Sequence, residues 1–276
     1  MITTTATVIR QTWQDGHSTS SADTVVAETP VALVYNGVSH VVTMATPIHL
    51  EEMALGFSLS EGILHSAEQL LDCEVQQQGQ GFTVNMTITA EPFVKLKQRR
   101  RNLTGRTGCG LCGVESLEQA IAPVAKVTGD VRVSHASINR AVIALSSTQS
   151  LKATTGGVHG AAWCTADGRI TVLREDVGRH NALDKLLGAL QMMPGNEPGF
   201  VLVTSRASYE MVAKVAACNR PLLAAVSAPT ALAISLAEQA GVTLLGFVQP
   251  QRQVIYTHPY RVSGHDTAEA STVERD

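Results

Sequence analysis

The sequence predicts an α/β protein in two parts, a small N-terminal α/β roll followed by a larger C-terminal α/β domain. Three observations carry this. Residues 200–248 alternate strand and helix patterns in βαβαβ order, which implies parallel strands with helices packed on them. Residues 31–44 are two β-rich runs around Asn36-Gly37, a strong type I′ hairpin signal. The chain of 276 residues, 44% of them hydrophobic, exceeds the usual single-domain size and has ample apolar content for packed cores. The expected division is a flexible N-terminal arm over 1–27, an N-terminal α/β domain over 28–104, a mobile Cys-x-x-Cys loop and linker over 105–134, the C-terminal domain over 135–264 and a disordered tail over 265–276.

Taken in order, residues 1–27 lack apolar periodicity and carry the Ser-Thr-Ser-Ser cluster of 18–21, which reads as a loosely held arm. After the Asn-Gly hairpin, Thr46 fits an N-cap with Pro47 at the first helical position. Leu50, Met53, Ala54 and Phe57 then follow at helical spacing until Gly62. Phe82, Val84, Met86 and Ile88 alternate as a half-buried strand, and 91–101 is a second, basic helix. Short helical stretches are expected over 114–122 and 135–150. Residues 160–164 and 169–173 flank the turn residues Ala166-Asp167-Gly168. Leu183, Leu186, Leu187 and Leu190 mark an amphipathic helix. Strands at 200–204, 222–226 and 242–248 alternate with helices at 209–218 and 230–240, the second closed by Gly241.

Composition excludes several classes. A net charge of −3 argues against a nucleic-acid binder, and no apolar run is long enough to span a membrane. The odd cysteine count of five, with no secretory leader pattern, points to a reducing cytoplasm.

Residues 105–113 read Gly-Arg-Thr-Gly-Cys-Gly-Leu-Cys-Gly, and so place Cys109 and Cys112 among four glycines. A packed structural cysteine sits among apolar neighbours; here the sulfurs are approachable. Lys95, Lys97, Arg99, Arg100, Arg101 and Arg106 precede or flank the pair without an intervening acid, and their field favours thiolate over thiol. The basic run also reads simply as a solvated helix face. A closed zinc site needs two further ligands, and the chain has no second Cys-x-x-Cys or His-x-x-x-His pair, so no metal is expected. Thiol-disulfide chemistry stays open. A zinc deaminase would need a His-x-Glu and a proline where Gly108 stands.

At the carboxyl ends of the parallel strands, residues 205–208, 227–230 and 249–252 form three loops, the expected crevice of an open α/β sheet. Their hydroxyls, helix-start N–H groups and the guanidinium groups of Arg206 and Arg252 suit a phosphorylated ligand. The same residues also read as ordinary turns and caps. There is no Gly-x-Gly-x-x-Gly and no Walker loop. His159 and His180 are expected in polar loops where an acid or base could act; the plainer alternatives are His180 as a first-turn helix residue and Asp176 pairing to Arg174 or Arg179 on the surface.

Together 105–113, Glu175-Asp-Val-Gly-Arg-His180, Asp184-Lys-Leu-Leu187, Ser205-Arg-Ala-Ser-Tyr-Glu210 and Thr257-His-Pro259 resemble the formate dehydrogenase accessory sulfurtransferase family over nearly the whole chain. The resemblance implies a C-terminal three-layer α/β domain similar to the cytidine-deaminase fold. It implies a sulfurtransferase that takes persulfide sulfur from a cysteine desulfurase and passes it to the molybdenum (or tungsten) bis(guanine dinucleotide) cofactor destined for formate dehydrogenase, with GDP as a mimic of that bound substrate. Cys109 would carry the persulfide with Cys112 as its partner. Phe247, Val248, Gln249, Pro250, Gln251 and Arg252 would bind the cofactor, joined by Arg206. Members of that family often place Gly where this chain has Gln251. A homodimer is allowed. Rival readings are a non-enzymatic cofactor-binding chaperone with a structural cysteine pair, and a thiol oxidoreductase.

Overall fold

The computed structural model describes residues 3–101, 124, 126–193, 195 and 197–264. The cysteine stretch with its expected helix at 114–122, and the tail from 265, lie outside the described residues. The fold is mixed α/β, built on a four-stranded and a six-stranded sheet.

The N-terminal segment is not irregular. Strands β1 (Thr5–Gln14) and β2 (His17–Val26) pair antiparallel along their full length around Asp15-Gly16, both at positive φ (51° and 83°). This type I′ geometry is the same device as Asn36-Gly37 (46° and 79°), which joins β3 (Thr29–Tyr35) to β4 (Val38–Ala45). Helix α1 (Leu50–Ser60) follows, then β5 (Leu70–Gln78) and β6 (Gly81–Ile88), and the sheet runs β4-β3-β6-β5 with β3 and β6 parallel. Strand β5, rich in glutamine, was not expected. Val31, Leu33, Tyr35, Val84 and Met86 alternate onto the face covered by α1, where Met53, Ala54 and Leu55 complete a dry core. Helix α2 spans Ala90–Arg101.

The chain re-enters the fold along 126–132 and forms the short strand β7 (Val133–Ser134). Ser134 caps α3 (His135–Thr148) by accepting from Ser137 N, and a short helix α4 (Ser150–Thr155) follows. Strands β8 (His159–Thr165) and β9 (Ile170–Asp176) form the expected hairpin. Helix α5 (Arg179–Met192), β10 (Gly199–Val203), α6 (Tyr209–Ala217), β11 (Leu222–Ala225), α7 (Ala231–Ala240) and β12 (Thr243–Gln249) complete the repeat, with β10, β11 and β12 parallel as the alternation required. Strand β13 (Arg252–Ile255) turns back on β12, and β14 (Val262–Ser263) pairs with β7. Odd and even positions of one strand serve two layers: Leu223 and Ala225 pack under α5, α6 and α7, whereas Leu222 and Ala224 pack under α3.

The two sheet units meet where α1 crosses α5, and glycine sets the distance. A Cβ on Gly56 would lie 1.8 Å from the Asp184 carbonyl oxygen, and one on Gly188 would lie 1.8 Å from that of Glu52. Only hydrogen at both positions lets the backbones touch.

Candidate functional site

Three loops do converge at the carboxyl ends of β10, β11 and β12. Ala207 N donates to Ala228 O at 3.2 Å and Thr230 N to Ala207 O at 3.0 Å, which ties the first loop to the second. Phe247 N donates to Ser227 O at 3.1 Å, and Gly246 packs against Pro229 where a Cβ would meet its ring at 2.6 Å, which ties the second loop to the end of β12 that leads into the third. Arg206 and Arg252 are exposed on this edge, and the Arg252 guanidinium stands 5.5 Å from the centre of the Phe247 ring. The third loop is a tight turn, Pro250-Gln251, and Gln251 takes φ 64°, the left-handed backbone that glycine adopts at no cost. Its N–H is held by Asn139 Oδ1 at 2.9 Å. Val248, included in the expected cofactor segment, is buried in the core beneath α3 with Leu245, because the irregularity at Phe247 (φ 52°) breaks the strand's alternation.

Two helix starts border the crevice, and both are partly spent. Thr230 caps α7 by accepting from Ala233 N at 3.2 Å. Ser208 leaves its helix uncapped and donates to Glu210 Oε2 at 2.7 Å, so that a carboxylate already occupies the α6 N-terminus. The open anion-binding capacity therefore lies with the two arginines and the turn at 249–252.

The histidine and aspartate expectations are corrected in part. His159 opens β8 rather than lying in a loop, whereas His180 sits in the first turn of α5, the alternative the sequence allowed. Burial, reinforced by the Arg179 charge, pushes both imidazoles below their ordinary range. His180 Nε2 lies 3.8 Å from Glu210 Oε2 without a hydrogen bond.

Asp176 is not a surface carboxylate. It is fully buried, 2.5 Å from Lys185 Nζ, and its oxygens also accept from Thr46 N (3.0 Å), Gly178 N (2.8 Å) and Asn181 Nδ2 (3.1 Å). Thr46 is thus no helix cap; its amide serves Asp176, its hydroxyl accepts from Val177 N at 3.2 Å, and α1 begins instead after His49. Arg174 turns to Glu52 of α1 and donates along one guanidinium edge, Nε to Oε2 and Nη2 to Oε1, the latter at 2.6 Å.

A second buried group, absent from the sequence reading, joins the other end of α1. Lys214 Nζ meets Asp184 Oδ2 at 3.0 Å, Glu61 Oε1 at 2.8 Å and Ser60 Oγ at 2.9 Å. Burial opposes its charge, but Asp184 and Glu61 outweigh that and hold the ammonium above its ordinary range. The Glu175–His180 and Asp184–Lys185 motifs therefore fasten the two sheet units together.

Cys109, Cys112 and Arg106 lie outside the described residues, as do the side chains of Arg99, Arg100 and Arg101. Of the basic run, Lys95 pairs with Glu91 at 2.7 Å and Lys97 lies over the Phe93 ring. The linker beyond the cysteines roots at the amino-terminal edge of the six-stranded sheet. There Val127 N donates to Ala240 O at 2.8 Å, Thr128 N to Asn219 Oδ1 at 2.8 Å, and Asp130 pairs with Arg261 at 3.0 Å.

The remaining cysteines are poor nucleophiles. Burial pushes the Cys73 and Cys218 thiols up to about 12, and that of Cys164 higher still. Among the described residues no helix is long and apolar enough to cross a membrane, and no cluster of three metal-ligating side chains occurs.

Residues 26–263 match the model of the FdhD/NarQ family. The chain belongs to that family. "Sulfur carrier protein FdhD" of Cupriavidus necator is 54% identical over 251 residues, covering 91% of this chain and 87% of that protein. The protein of the same description from Variovorax paradoxus is 50% identical over 244 residues, 88% of this chain and 87% of its own. A crystal structure of a formate dehydrogenase accessory protein from Desulfotalea psychrophila superposes with a TM-score of 0.73 at 25% identity, over 95% of this chain and all of that one. These curated relatives bear the name of a sulfur carrier protein.

Proposed function

We propose that this FdhD/NarQ protein is a cytoplasmic sulfurtransferase that accepts persulfide sulfur on Cys109 from a cysteine desulfurase and delivers it to the molybdenum bis(guanine dinucleotide) cofactor used by formate dehydrogenase. The observation that carries the reading is one of elimination among five cysteines. Burial raises the thiols of Cys73, Cys164 and Cys218 out of the reactive range, which leaves the glycine-flanked Cys109 and Cys112 as the candidate sulfur carriers.

In the loading step the Cys109 thiolate attacks the outer sulfur of the donor's cysteine persulfide. The new S–S bond forms as the donor's cysteine thiolate leaves, so Cys109 becomes the persulfide. Release can be direct, or Cys112 thiolate can attack the inner sulfur, forming the Cys109–Cys112 disulfide and freeing hydrosulfide. A cellular thiol reductant then restores both thiols. The guanine dinucleotide substrate would lie on the edge formed by Arg206, Phe247 and Gln249 to Arg252, its phosphates met by the guanidinium groups. The C-terminal unit, with helices on both faces of its sheet, is in this reading a cytidine-deaminase-like layer arrangement without deaminase chemistry.

Intact-mass spectrometry after incubation with a desulfurase and cysteine tests the proposal. A gain of one sulfur that disappears in Cys109→Ala is expected. Loading that survives Cys109→Ala, or stoichiometric zinc held by both thiols, would overturn it in favour of a chaperone with a structural cysteine pair.

A further inference from the structure

The crevice described above spans β10, β11 and β12, and the sheet continues beyond it. Strand β8 lies antiparallel to β10 on the other side, and its first residue, His159, pairs with Asp176 at the end of β9. Thr204 N donates to Gly160 O at 3.0 Å, so His159 stands beside the loop that starts at Ser205. The turn from β9 into α5 then brings Arg179 and His180 to the same edge. The Arg179 charge acts on His159, His180 and Glu210 alike, which places its guanidinium among them.

These groups are donors without acceptors. Arg179 Nε and His180 Nε2 are both shut off from solvent, and neither has a hydrogen-bond partner among the described residues. The carboxylates that could answer them are spent elsewhere. Asp176 is held by Lys185 and by the N–H groups of Thr46, Gly178 and Asn181, and Glu175 accepts from Leu151 N at 2.9 Å and Lys152 N at 3.0 Å. Glu210, half-buried, takes the Ser208 hydroxyl at 2.7 Å and stops 3.8 Å short of His180 Nε2. An orphaned buried donor costs free energy that a bound acceptor returns, and the planar fork of a guanidinium matches an oxyanion.

We infer that His159, Arg179 and His180 form a second anion site, separate from the 249–252 edge, which takes a tetrahedral oxyanion of the phosphate or sulfate class. Binding there is coupled to protons. His159 is faced by Arg179, Lys152 and Asp176, and His180 by Arg179, Glu210, Lys214 and Glu61. Burial first, and then the Arg179 charge, hold both imidazoles below their ordinary range. A dianion seated against Arg179 reverses that field and favours the protonated rings, which supply it with further N–H donors. The site therefore takes up protons as it fills and, by the same linkage, holds its anion more tightly as pH falls through the range where the rings titrate.

Histidine NMR titration of the full-length protein, in sodium sulfate and in sodium chloride of equal ionic strength, tests the inference. His159→Asn and His180→Asn assign the two imidazoles. Sulfate keeps both its charges across the titration, so a change in midpoint reports the protein alone. Sulfate is expected to raise both midpoints by about one pH unit. Arg179→Met, which keeps the apolar stem, should abolish the response, and Arg252→Ala should retain it. His159→Asn should shrink the His180 response, an outcome that does not depend on Arg179→Met folding. These arms need no nucleotide, so they test this site apart from the 249–252 edge. GDP then separates the sources of the anion, both results leaving the site in place: a nucleotide phosphate if GDP raises the midpoints and removes the sulfate response, a free oxyanion if sulfate still acts beside it. Equal midpoints in sulfate and chloride would mean that water alone meets the orphaned nitrogens. A response that survives Arg179→Met would make it a general surface effect of the salt. Either would overturn the inference.

Discussion

Replacing Lys185 with methionine separates a structural from a catalytic reading of the Glu175–His180 and Asp184–Lys185 motifs. The substitution keeps the length and apolar stem of the side chain but removes the ammonium 2.5 Å from Asp176, leaving a fully buried carboxylate. Breaking a buried ion pair from one side costs about 3–5 kcal/mol. Here the lower end applies, because Asp176 keeps three N–H donors, from Thr46, Gly178 and Asn181. We expect a loss of about 3 kcal/mol in urea unfolding, with the m-value unchanged. Asp176→Asn should cost a comparable amount, since it strands the Lys185 ammonium with only the Thr46 carbonyl at 2.9 Å. The double variant should recover about 2 kcal/mol relative to the sum of the singles, the coupling expected of a direct buried contact. Two results would refute the reasoning: a single-variant cost below about 1 kcal/mol, or a fully stable Lys185→Met protein that has lost sulfur transfer, which would make the lysine a participant in chemistry.

Other outcomes follow from the same geometry. Gly188→Ala should lower stability by about 3 kcal/mol or more in thermal or urea unfolding, because its Cβ would strike the Glu52 carbonyl rather than a flexible side chain. Gln251→Gly should raise stability by about 1 kcal/mol, by relieving the left-handed backbone at φ 64°, a gain that unfolding midpoints would register. Stability should decline as pH falls from 6.5 towards 5. His159 and His180 are held below their ordinary range by burial and Arg179, so in that window the unfolded chain binds more protons than the native one; a flat urea midpoint from pH 7.5 to 5.5 would contradict this. Arg252→Ala should weaken GDP binding about ten- to a hundredfold by calorimetry, as expected for a charge-assisted contact of roughly 1.5–3 kcal/mol.

What was legible in the sequence was what short-range chemistry decides. Asn36-Gly37 fixes its hairpin through two positive-φ residues, and strand-helix alternation with Thr230 and Gly241 as caps fixes the parallel core. The Asp15-Gly16 turn has the same chemistry but is lost among serines and threonines, because apolar alternation is a weak signal in a ribbon most of whose residues stay exposed. Thr46-Pro47 has the composition of a helix start, yet the threonine is claimed by Asp176 from far along the chain. The buried pairs Asp176–Lys185 and Asp184–Lys214 could not be read at all. Local spacing shows a carboxylate and an amine nearby, and only the docking of α1 onto α5 removes them from water.

The placement of the linker bears on how the proposed chemistry is divided. Residues 126–130 are tied to Ala240, Asn219 and Arg261 at the amino ends of the parallel strands, whereas Arg206 and Arg252 stand at their carboxyl ends. The seven residues of β12 separate these edges by about 23 Å. In the proposed reading, sulfur loading at Cys109 and nucleotide binding at 249–252 draw on different residues. A substitution at Arg252 acts on phosphate contacts that a persulfide does not need, and one at Cys109 acts on a sulfur that a guanine nucleotide does not touch. The two activities should be lost independently, and a protein defective in GDP binding should still gain its sulfur.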